Sequence, residues 1–183
     1  MNERACKPAG LSAVFLYTAE ERRRRDASGW TLVQGILAPV QFAVFLVSLG
    51  LVLRYLATGE GYDAAVVSIV VKTLTLYTIM VTGAIWEKEV FGVYLFARPF
   101  FWEDMFSMAV LALHTAYLLA LATGSLAPRE LMLLALAAYA TYLINALQFI
   151  LKLRAARLQA AREGERTLTD APVSMSAAGG LAK

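Results

Sequence analysis

Cysteine, histidine and charged side chains are all scarce in this chain, and each scarcity excludes a class of protein. The single cysteine, Cys6, allows no disulfide within the chain. The single histidine, His114, excludes a haem held by two histidines of one chain. Charged residues make up 17% of the sequence, against about a quarter in a typical soluble domain. A soluble helical bundle is therefore a poor interpretation.

Several functional signatures are also missing. The sequence has no metal-binding cluster, nucleophile elbow or phosphate-binding glycine loop. The net charge of +3 does not indicate a nucleic-acid partner, because the basic residues flank apolar runs instead of alternating with exposed aromatic residues. Contact with anionic lipid head groups explains the basic residues at the ends of these runs better. A cleavable signal peptide is not expected, because the first apolar run begins near residue 31 and is too long.

Long hydrophobic runs, in contrast, dominate the chain. Four of them reach or approach the ~20 residues that a bilayer core of ~30 Å requires at 1.5 Å per residue. They cover residues 31–56, 62–86, 105–122 and 130–151. The mean hydropathy of +0.59 agrees with this pattern. We predict an all-α fold, an integral membrane bundle of four transmembrane helices.

The remaining residues are too few for a second domain. We predict a basic cytoplasmic or interfacial segment over residues 1–30 and a membrane domain over residues 31–155, with an aromatic loop near 87–104. Residues 156–183 are predicted to form a disordered cytoplasmic tail. In the first segment, Thr18 and Glu21 predict a capping box that starts a short helix.

The distribution of positive charge predicts the orientation. Lysine and arginine concentrate before the first run, between the second and third runs, and after the fourth. The two other connections hold only Arg54 and Arg129. Because lysine and arginine near span ends stay on the cytoplasmic side, both termini are predicted to face the cytoplasm.

Two ionisable side chains fall near the middle of the predicted spans. Lys72 lies about ten residues, ~15 Å, into the second run, and His114 about nine residues, ~14 Å, into the third. Such groups are costly in hydrocarbon and normally face a cavity or a partner. Lys72 is consistent with a substrate contact or a proton donor, and equally with a lysine bonded to carbonyls or reaching outward. His114 is consistent with a metal-binding imidazole or an ordinary interhelical contact.

Three carboxylates, those of Glu87, Glu103 and Asp104, cluster at the ends of the second and third runs. A carboxyl group partly withdrawn from water can keep its proton near neutrality, which a general acid needs. Solvated charge at a membrane interface is an equally consistent interpretation. Helical spacing places on one face of the third run Glu103, Ser107, Val110 and His114. Interhelical hydrogen bonds account for most other polar residues in the runs, including Tyr139 and Tyr142.

A resemblance extends this interpretation. Residues 80–88 read MVTGAIWEK, and residues 100–104 read FFWED. With residues 22–28, 30–35 and 113–117 and the short strings around Lys72 and Phe91, they are similar to the 2-vinyl bacteriochlorophyllide hydratases of bacteriochlorophyll synthesis. The resemblance covers about residues 16–155.

The resemblance implies a reaction and a cellular location. Water adds across the C3-vinyl group of a chlorophyllide-type macrocycle and gives a 1-hydroxyethyl group, in the cytoplasmic or intracytoplasmic photosynthetic membrane of a bacterium. Protonation of the terminal vinyl carbon leaves a cation on the carbon beside the conjugated ring. Water then attacks this cationic carbon. An acid and an ordered water are required but no redox cofactor, and the substrate carries its own magnesium.

The resemblance also suggests roles for residues. Glu87 or Glu103 is expected to supply the proton, and the other carboxylate or Asp104 to orient the water. The residues expected to bind substrate are Lys72, Tyr77, Trp86, Trp102, His114, Asn145 and Gln148. Among these the aromatic faces favour the cation, whereas Lys72 would oppose it and is placed against a substrate carboxylate or carbonyl.

His114 is the candidate axial ligand of the substrate magnesium, but eleven residues, ~16 Å, separate it from Glu103. Either a carboxylate from another helix reaches deeper, or His114 itself lies near the vinyl group.

Two other functions fit the same pattern. A pigment carrier or assembly factor would use the same cavity without chemistry, and a small ion-coupled transporter would use Lys72 and the carboxylates as an ion path. The expected partners are the macrocycle, the lipid bilayer and other pigment-synthesis enzymes, without nucleic acid. The oligomeric state is left open.

Overall fold

The computed structural model describes residues 16–169, without the side chains of 159–160 and 162–169. Its helices are α1 (Ala19–Ala27), α2 (Gly29–Thr58), α3 (Tyr62–Phe91), α4 (Phe101–Thr123) and α5 (Pro128–Thr169). No strand occurs in this part of the chain. The helices α2, α3 and α4 and the segment Pro128–Leu158 of α5 are long and apolar enough to cross a membrane. The predicted all-α fold with four long apolar helices is confirmed and supports a multi-pass membrane protein.

The helices extend further than the hydrophobic runs that predicted them. Helix α3 continues through residues 87–91, and α4 begins at Phe101, so the connection between them is residues 92–100. Helix α5 runs on to Thr169, because the segment after residue 151 is rich in alanine, arginine and leucine, all strong helix formers. The rest of the predicted tail, residues 170–183, and residues 1–15 of the predicted N-terminal segment lie outside the described residues. Residues 17–149 form one compact unit, and the sites described below lie within it.

Local signals explain where the helices begin and end. The predicted capping box is confirmed: the Glu21 backbone N–H donates to the Thr18 hydroxyl at 3.2 Å, and the Thr18 N–H donates to the Glu21 carboxylate at 2.7 Å. Helices α2 and α3 are capped at their C-terminal ends by Gly59 and Gly92. Both glycines have a left-handed backbone, which glycine adopts without steric cost. The short turn after Gly59 makes α2 and α3 antiparallel neighbours.

The junction of α1 and α2 is held against the end of α3. The Ser28 hydroxyl donates to the Glu89 carboxylate at 2.9 Å, and the Trp86 indole N–H donates to the Thr31 hydroxyl at 2.9 Å. The buried ring of Tyr17, just before α1, stacks on Phe91 with ring centroids 5.7 Å apart. Burial raises the pKa of Tyr17, so its phenol stays neutral near pH 7.

The bundle is apolar outside and partly polar inside. Large apolar side chains such as Leu32, Val47 and Val67 are more than half exposed, whereas Lys72 and His114 are buried. A soluble bundle shows the opposite pattern, because water selects polar exteriors. In a membrane, lipid covers the apolar exterior and polar groups gather between the helices.

One hydrogen-bonded chain ties three helices together. Ser48 of α2 lies 2.7 Å from the Ser68 hydroxyl of α3 and 2.5 Å from the Tyr139 hydroxyl of α5. The Ser68 hydroxyl donates to the Ala65 carbonyl, so Ser48 donates to Ser68 and Tyr139 donates to Ser48.

Replacement of Ser48 by alanine removes the acceptor of the buried Tyr139 hydroxyl. We expect Ser48→Ala to lower the free energy of unfolding by about 1 kcal/mol. A lower thermal midpoint of the purified protein in detergent would show this. The matched variant Thr123→Ala removes an exposed hydroxyl that bonds only its own helix, and it is expected to leave the midpoint unchanged. Equal thermal midpoints for the two variants would contradict a stabilising role for the hydrogen bonds of Ser48.

Candidate functional site

Polar side chains gather at two depths of the bundle. The first group lies where α3 ends and α4 begins and contains Glu87, Glu103 and Asp104, all less than 10% exposed. The second lies about ten residues further along α4, a rise of ~15 Å, and is built around Lys72 and His114. The structure brings the predicted catalytic carboxylates to one end of the bundle and the two mid-span candidates, Lys72 and His114, to another level.

Glu87 and Asp104 form a carboxyl pair. Glu87 lies in the last turns of α3 and Asp104 in the first turn of α4, and their carboxyl groups are close enough to interact. Two neighbouring carboxyl groups repel each other when both are ionised, so one proton shared between them is the favoured state. The two residues are 4–5% exposed, which adds to this preference because burial disfavours charge.

The backbone of the α3–α4 connection fixes this pair. The Phe96 N–H donates to Asp104 Oδ2 at 2.7 Å, and the next amide, that of Ala97, donates to Glu87 Oε2 at 3.2 Å. Phe96 has φ of 61°, a left-handed conformation that is rare and costly for a residue with a bulky side chain. With this turn, two successive amides point to the two carboxyl groups and hold them in place.

An aromatic cluster packs at the same end of the bundle. It consists of Tyr17, Trp86, Phe91, Phe100 and Phe149, with neighbouring ring centroids 5.7 to 6.3 Å apart. The predicted binding residue Trp86 is thus a member of a packed cluster. Trp102, by contrast, is 69% exposed and packs edge-on against Phe101.

The middle of the bundle holds His114 and Lys72. His114 Nδ1 lies 2.8 Å from the Val110 carbonyl oxygen, which can only accept, so Nδ1 carries the hydrogen. Its Nε2 consequently presents a lone pair, and this atom is buried without a hydrogen-bond partner. Lys72 Nζ lies 3.9 Å from the centroid of the Tyr142 ring. The two side chains from α3 and α4 thus face the tyrosines of α5, since the His114 ring also lies 5.9 Å from that of Tyr139.

Buried polar atoms without a partner are concentrated inside the bundle. In the described part of the chain they are Gln41 Oε1, Lys72 Nζ, His114 Nε2, Tyr117 OH, Asn145 Oδ1 and Gln148 Oε1. They come from all four long helices. Buried polar groups are normally paired, because an unpaired one costs about 1–3 kcal/mol. Their concentration makes this interior the candidate binding site for a partly polar ligand.

A hydrogen bond lies between the two levels. Asn145 Nδ2 donates to the Ser107 hydroxyl at 2.8 Å. Ser107 is three residues, ~4.5 Å, beyond Asp104 and seven residues, ~10.5 Å, before His114 along α4. The four residues that helical spacing placed on one face of α4, including Val110, are all buried.

Other sequence candidates have local partners. The Tyr77 hydroxyl bonds to that of Thr115 at 2.8 Å, so this half-buried tyrosine links α3 to α4. The sequence interpretation missed Gln41 and Tyr117 as interior groups and treated Tyr139 and Tyr142 as ordinary contacts. The three-residue spacing of Tyr139, Tyr142, Asn145 and Gln148 was the available signal, since each lies one turn from the next and together they form a polar stripe that winds around α5.

Comparison with known proteins agrees with this arrangement. Residues 17–155 match the family model described as 2-vinyl bacteriochlorophyllide hydratase. A protein of that name from Rhodobacter capsulatus is 67% identical over 162 residues, covering 88% of this chain and 94% of the relative. Another from Cereibacter sphaeroides is 72% identical over 144 residues, covering 78% of this chain and 89% of the relative. No solved structure matches. With the matched region containing both polar levels of the bundle, the chain belongs to the 2-vinyl bacteriochlorophyllide hydratase family.

Proposed function

We propose that this protein adds water to the C3-vinyl group of a bacteriochlorophyllide and gives the 1-hydroxyethyl derivative. The relatives that share most of its length carry the name of this activity. The observation that supports the chemistry most directly is the buried carboxyl pair of Glu87 and Asp104. A hydration needs one group that gives a proton and one that takes a proton, and a carboxyl pair with a single proton offers both.

A carboxyl pair with one proton can carry out both proton transfers of the reaction. The protonated member of the carboxyl pair donates its proton to the terminal vinyl carbon, and the positive charge forms on the carbon next to the ring. Water attacks this carbon, and its surplus proton passes to the carboxylate, which restores the pair. The negative charge that remains on the pair favours the cation. Glu103, which is buried and precedes Asp104 in the sequence, is the second candidate for holding the water.

His114 is the candidate for holding the macrocycle. Its Nε2 lone pair is the form in which imidazole binds a metal ion, and the Val110 carbonyl fixes the ring through Nδ1. The magnesium to be bound belongs to the substrate. Asn145 and Gln148 each present a free carbonyl oxygen inside the same bundle, and Tyr77 and Trp86 supply aromatic surface.

The two levels are compatible with one large substrate. The magnesium lies at the centre of the macrocycle and the vinyl group at its rim, so a macrocycle bound at His114 extends partway towards the carboxyl pair. Ser107 and Asn145 lie in this interval, and their hydroxyl and amide groups can pass a proton or hold a water molecule. The substrate and these polar groups together span the ~15 Å between Asp104 and His114.

We also infer the orientation in the membrane. Arginines of α1 and of the α3–α4 connection are at the end of the bundle that carries the carboxyl pair. By the positive-inside rule this end faces the cytoplasm, and with it both termini. The enzyme would then take and release protons on the cytoplasmic side of a bacterial photosynthetic membrane, where other pigment-synthesis enzymes can deliver its substrate.

Incubation of the purified protein in detergent with 3-vinyl chlorophyllide tests the function. We expect a blue shift of the pigment absorption, because the vinyl group leaves conjugation, and a product heavier by one water molecule. No redox cofactor is added, since addition of water transfers no electrons. Heat-denatured protein in the same detergent is the control. Substrate that binds and is recovered unchanged would contradict the hydratase and support a pigment carrier.

A further inference from the structure

Lys72 has a property that the hydration chemistry does not explain. Among the described residues it is the one buried lysine or arginine, and it is 0% exposed. Its Nζ has no hydrogen-bond partner, and no described carboxylate forms an ion pair with it. The Tyr142 ring, 3.9 Å from Nζ, offers a cation–π contact but no negative charge.

A buried ammonium without a counter-ion is costly in the middle of a membrane protein. Partners for such a group are usually a carboxylate or backbone carbonyls. The nearest carboxylates on the same helix are those of Asp63 in the first turn of α3 and Glu87 near its end, nine residues (~14 Å) and fifteen residues (~22 Å) from Lys72. The protein therefore leaves this charge to be paired by something that enters the bundle.

The position of Lys72 limits what that ligand can be. Lys72 faces Tyr142, and His114 faces Tyr139, three residues away on α5, so Lys72 lies at the same level of the bundle as the free Nε2 of His114, the candidate ligand of the substrate magnesium. One molecule that binds both must carry a metal at its centre and an anionic group near its rim. A bacteriochlorophyllide has this combination, because its propionate side chain is a free carboxylic acid.

We propose that Lys72 binds the free propionate of the substrate and makes the enzyme select the acid over its ester. This inference rests on the proposed function. An ammonium forms a charge-assisted hydrogen bond with a carboxylate, whereas an ester carries no charge and adds bulk.

The same contact orients the macrocycle. A single axial bond at His114 leaves a flat ring free to rotate about the bond to its magnesium. A second contact at the rim, from Lys72 on α3, removes this rotation and determines which edge points to the carboxyl pair. Lys72 is in this sense a positioning residue, since it acts on the vinyl group through the orientation of the ring.

The test compares 3-vinyl chlorophyllide with its propionate methyl ester. For the unaltered protein, kcat/KM for the ester is expected to be lower by roughly 10- to 100-fold, the value of a hydrogen bond to a charged group. In Lys72→Met this preference is expected to disappear, with similar kcat/KM for acid and ester. The matched variant Arg54→Met removes an exposed cation at the far end of α2 and is expected to keep the preference.

The outcomes separate the two proposals. Equal hydration of acid and ester by the unaltered protein would overturn the role of Lys72 and leave the hydratase intact, and this comparison needs no variant to fold. A preference that survives in Lys72→Met would also overturn it. If neither compound is hydrated but the acid binds more tightly than the ester, in a manner that Lys72→Met abolishes, the hydratase fails and the Lys72 site stands.

Discussion

Glu87→Gln is expected to lower kcat of vinyl hydration by about 10²–10⁴-fold, the usual contribution of a general acid or base. Glutamine can keep a hydrogen bond to Asp104, because its amide N–H donates to a carboxylate. Its carbonyl can also accept from the Ala97 amide as the Glu87 carboxylate does. What it cannot do is deliver a proton to carbon. The loss is therefore expected in the rate, measured from the absorption change under saturating substrate, with KM little altered.

The neighbouring variant Glu89→Gln is the matched control. Glu89 is exposed, lies two residues along the same helix, and accepts a hydrogen bond from Ser28 that glutamine can also accept. We expect near-normal turnover from it. Asp104→Asn is expected to behave like Glu87→Gln, because either change leaves the pair with one carboxyl group. Full activity in both Glu87→Gln and Glu103→Gln would remove the acid assignment.

His114→Ala is expected to weaken substrate binding at least tenfold, about 1.4 kcal/mol. The variant removes the imidazole Nε2, which is buried without a hydrogen-bond partner and is the proposed ligand of the substrate magnesium. A titration of pigment fluorescence or absorption against protein measures the change. A magnesium-free analogue of the substrate sharpens this test, because it has no metal for the imidazole to bind. The unaltered protein is expected to prefer the magnesium form, and His114→Ala to bind both forms alike.

Two further measurements test whether His114 is the magnesium ligand. Imidazole added to His114→Ala can occupy the space of the lost ring and is expected to restore part of the affinity for the magnesium form. Leu119→Ala, an exposed position on the same helix, serves as the control for a shortened side chain. Normal affinity and normal rate in His114→Ala would exclude both a magnesium ligand and a group near the vinyl carbon.

Much of the fold could be predicted because it depends on local properties of the chain. The length of each hydrophobic run is enough to predict a membrane helix, and the Thr18 capping box is a contact between residues three apart. The buried face of α4 followed from spacing alone, since Ser107 and His114 repeat with the helical period.

The site could be predicted less completely because its contacts join distant parts of the chain. Ser48 and Tyr139 are 91 residues apart, and no periodicity indicates that their hydroxyl groups meet. The carboxyl pair depends on the left-handed backbone at Phe96, which sequence patterns assign to glycine or asparagine rather than to an aromatic residue. Sequence thus identified the acids, but the choice of Glu87 with Asp104 came from the packing of α3 against α4.

The unpaired polar atoms of the interior have a consequence for the protein before it meets pigment. A ligand that pairs Lys72 and His114 stabilises the folded state and not the unfolded one, so the melting temperature is expected to climb with pigment concentration. In a living cell the unloaded form would be the first to be degraded by quality-control proteases. The abundance of the protein would then rise and fall with the supply of its precursor, without any change in gene expression.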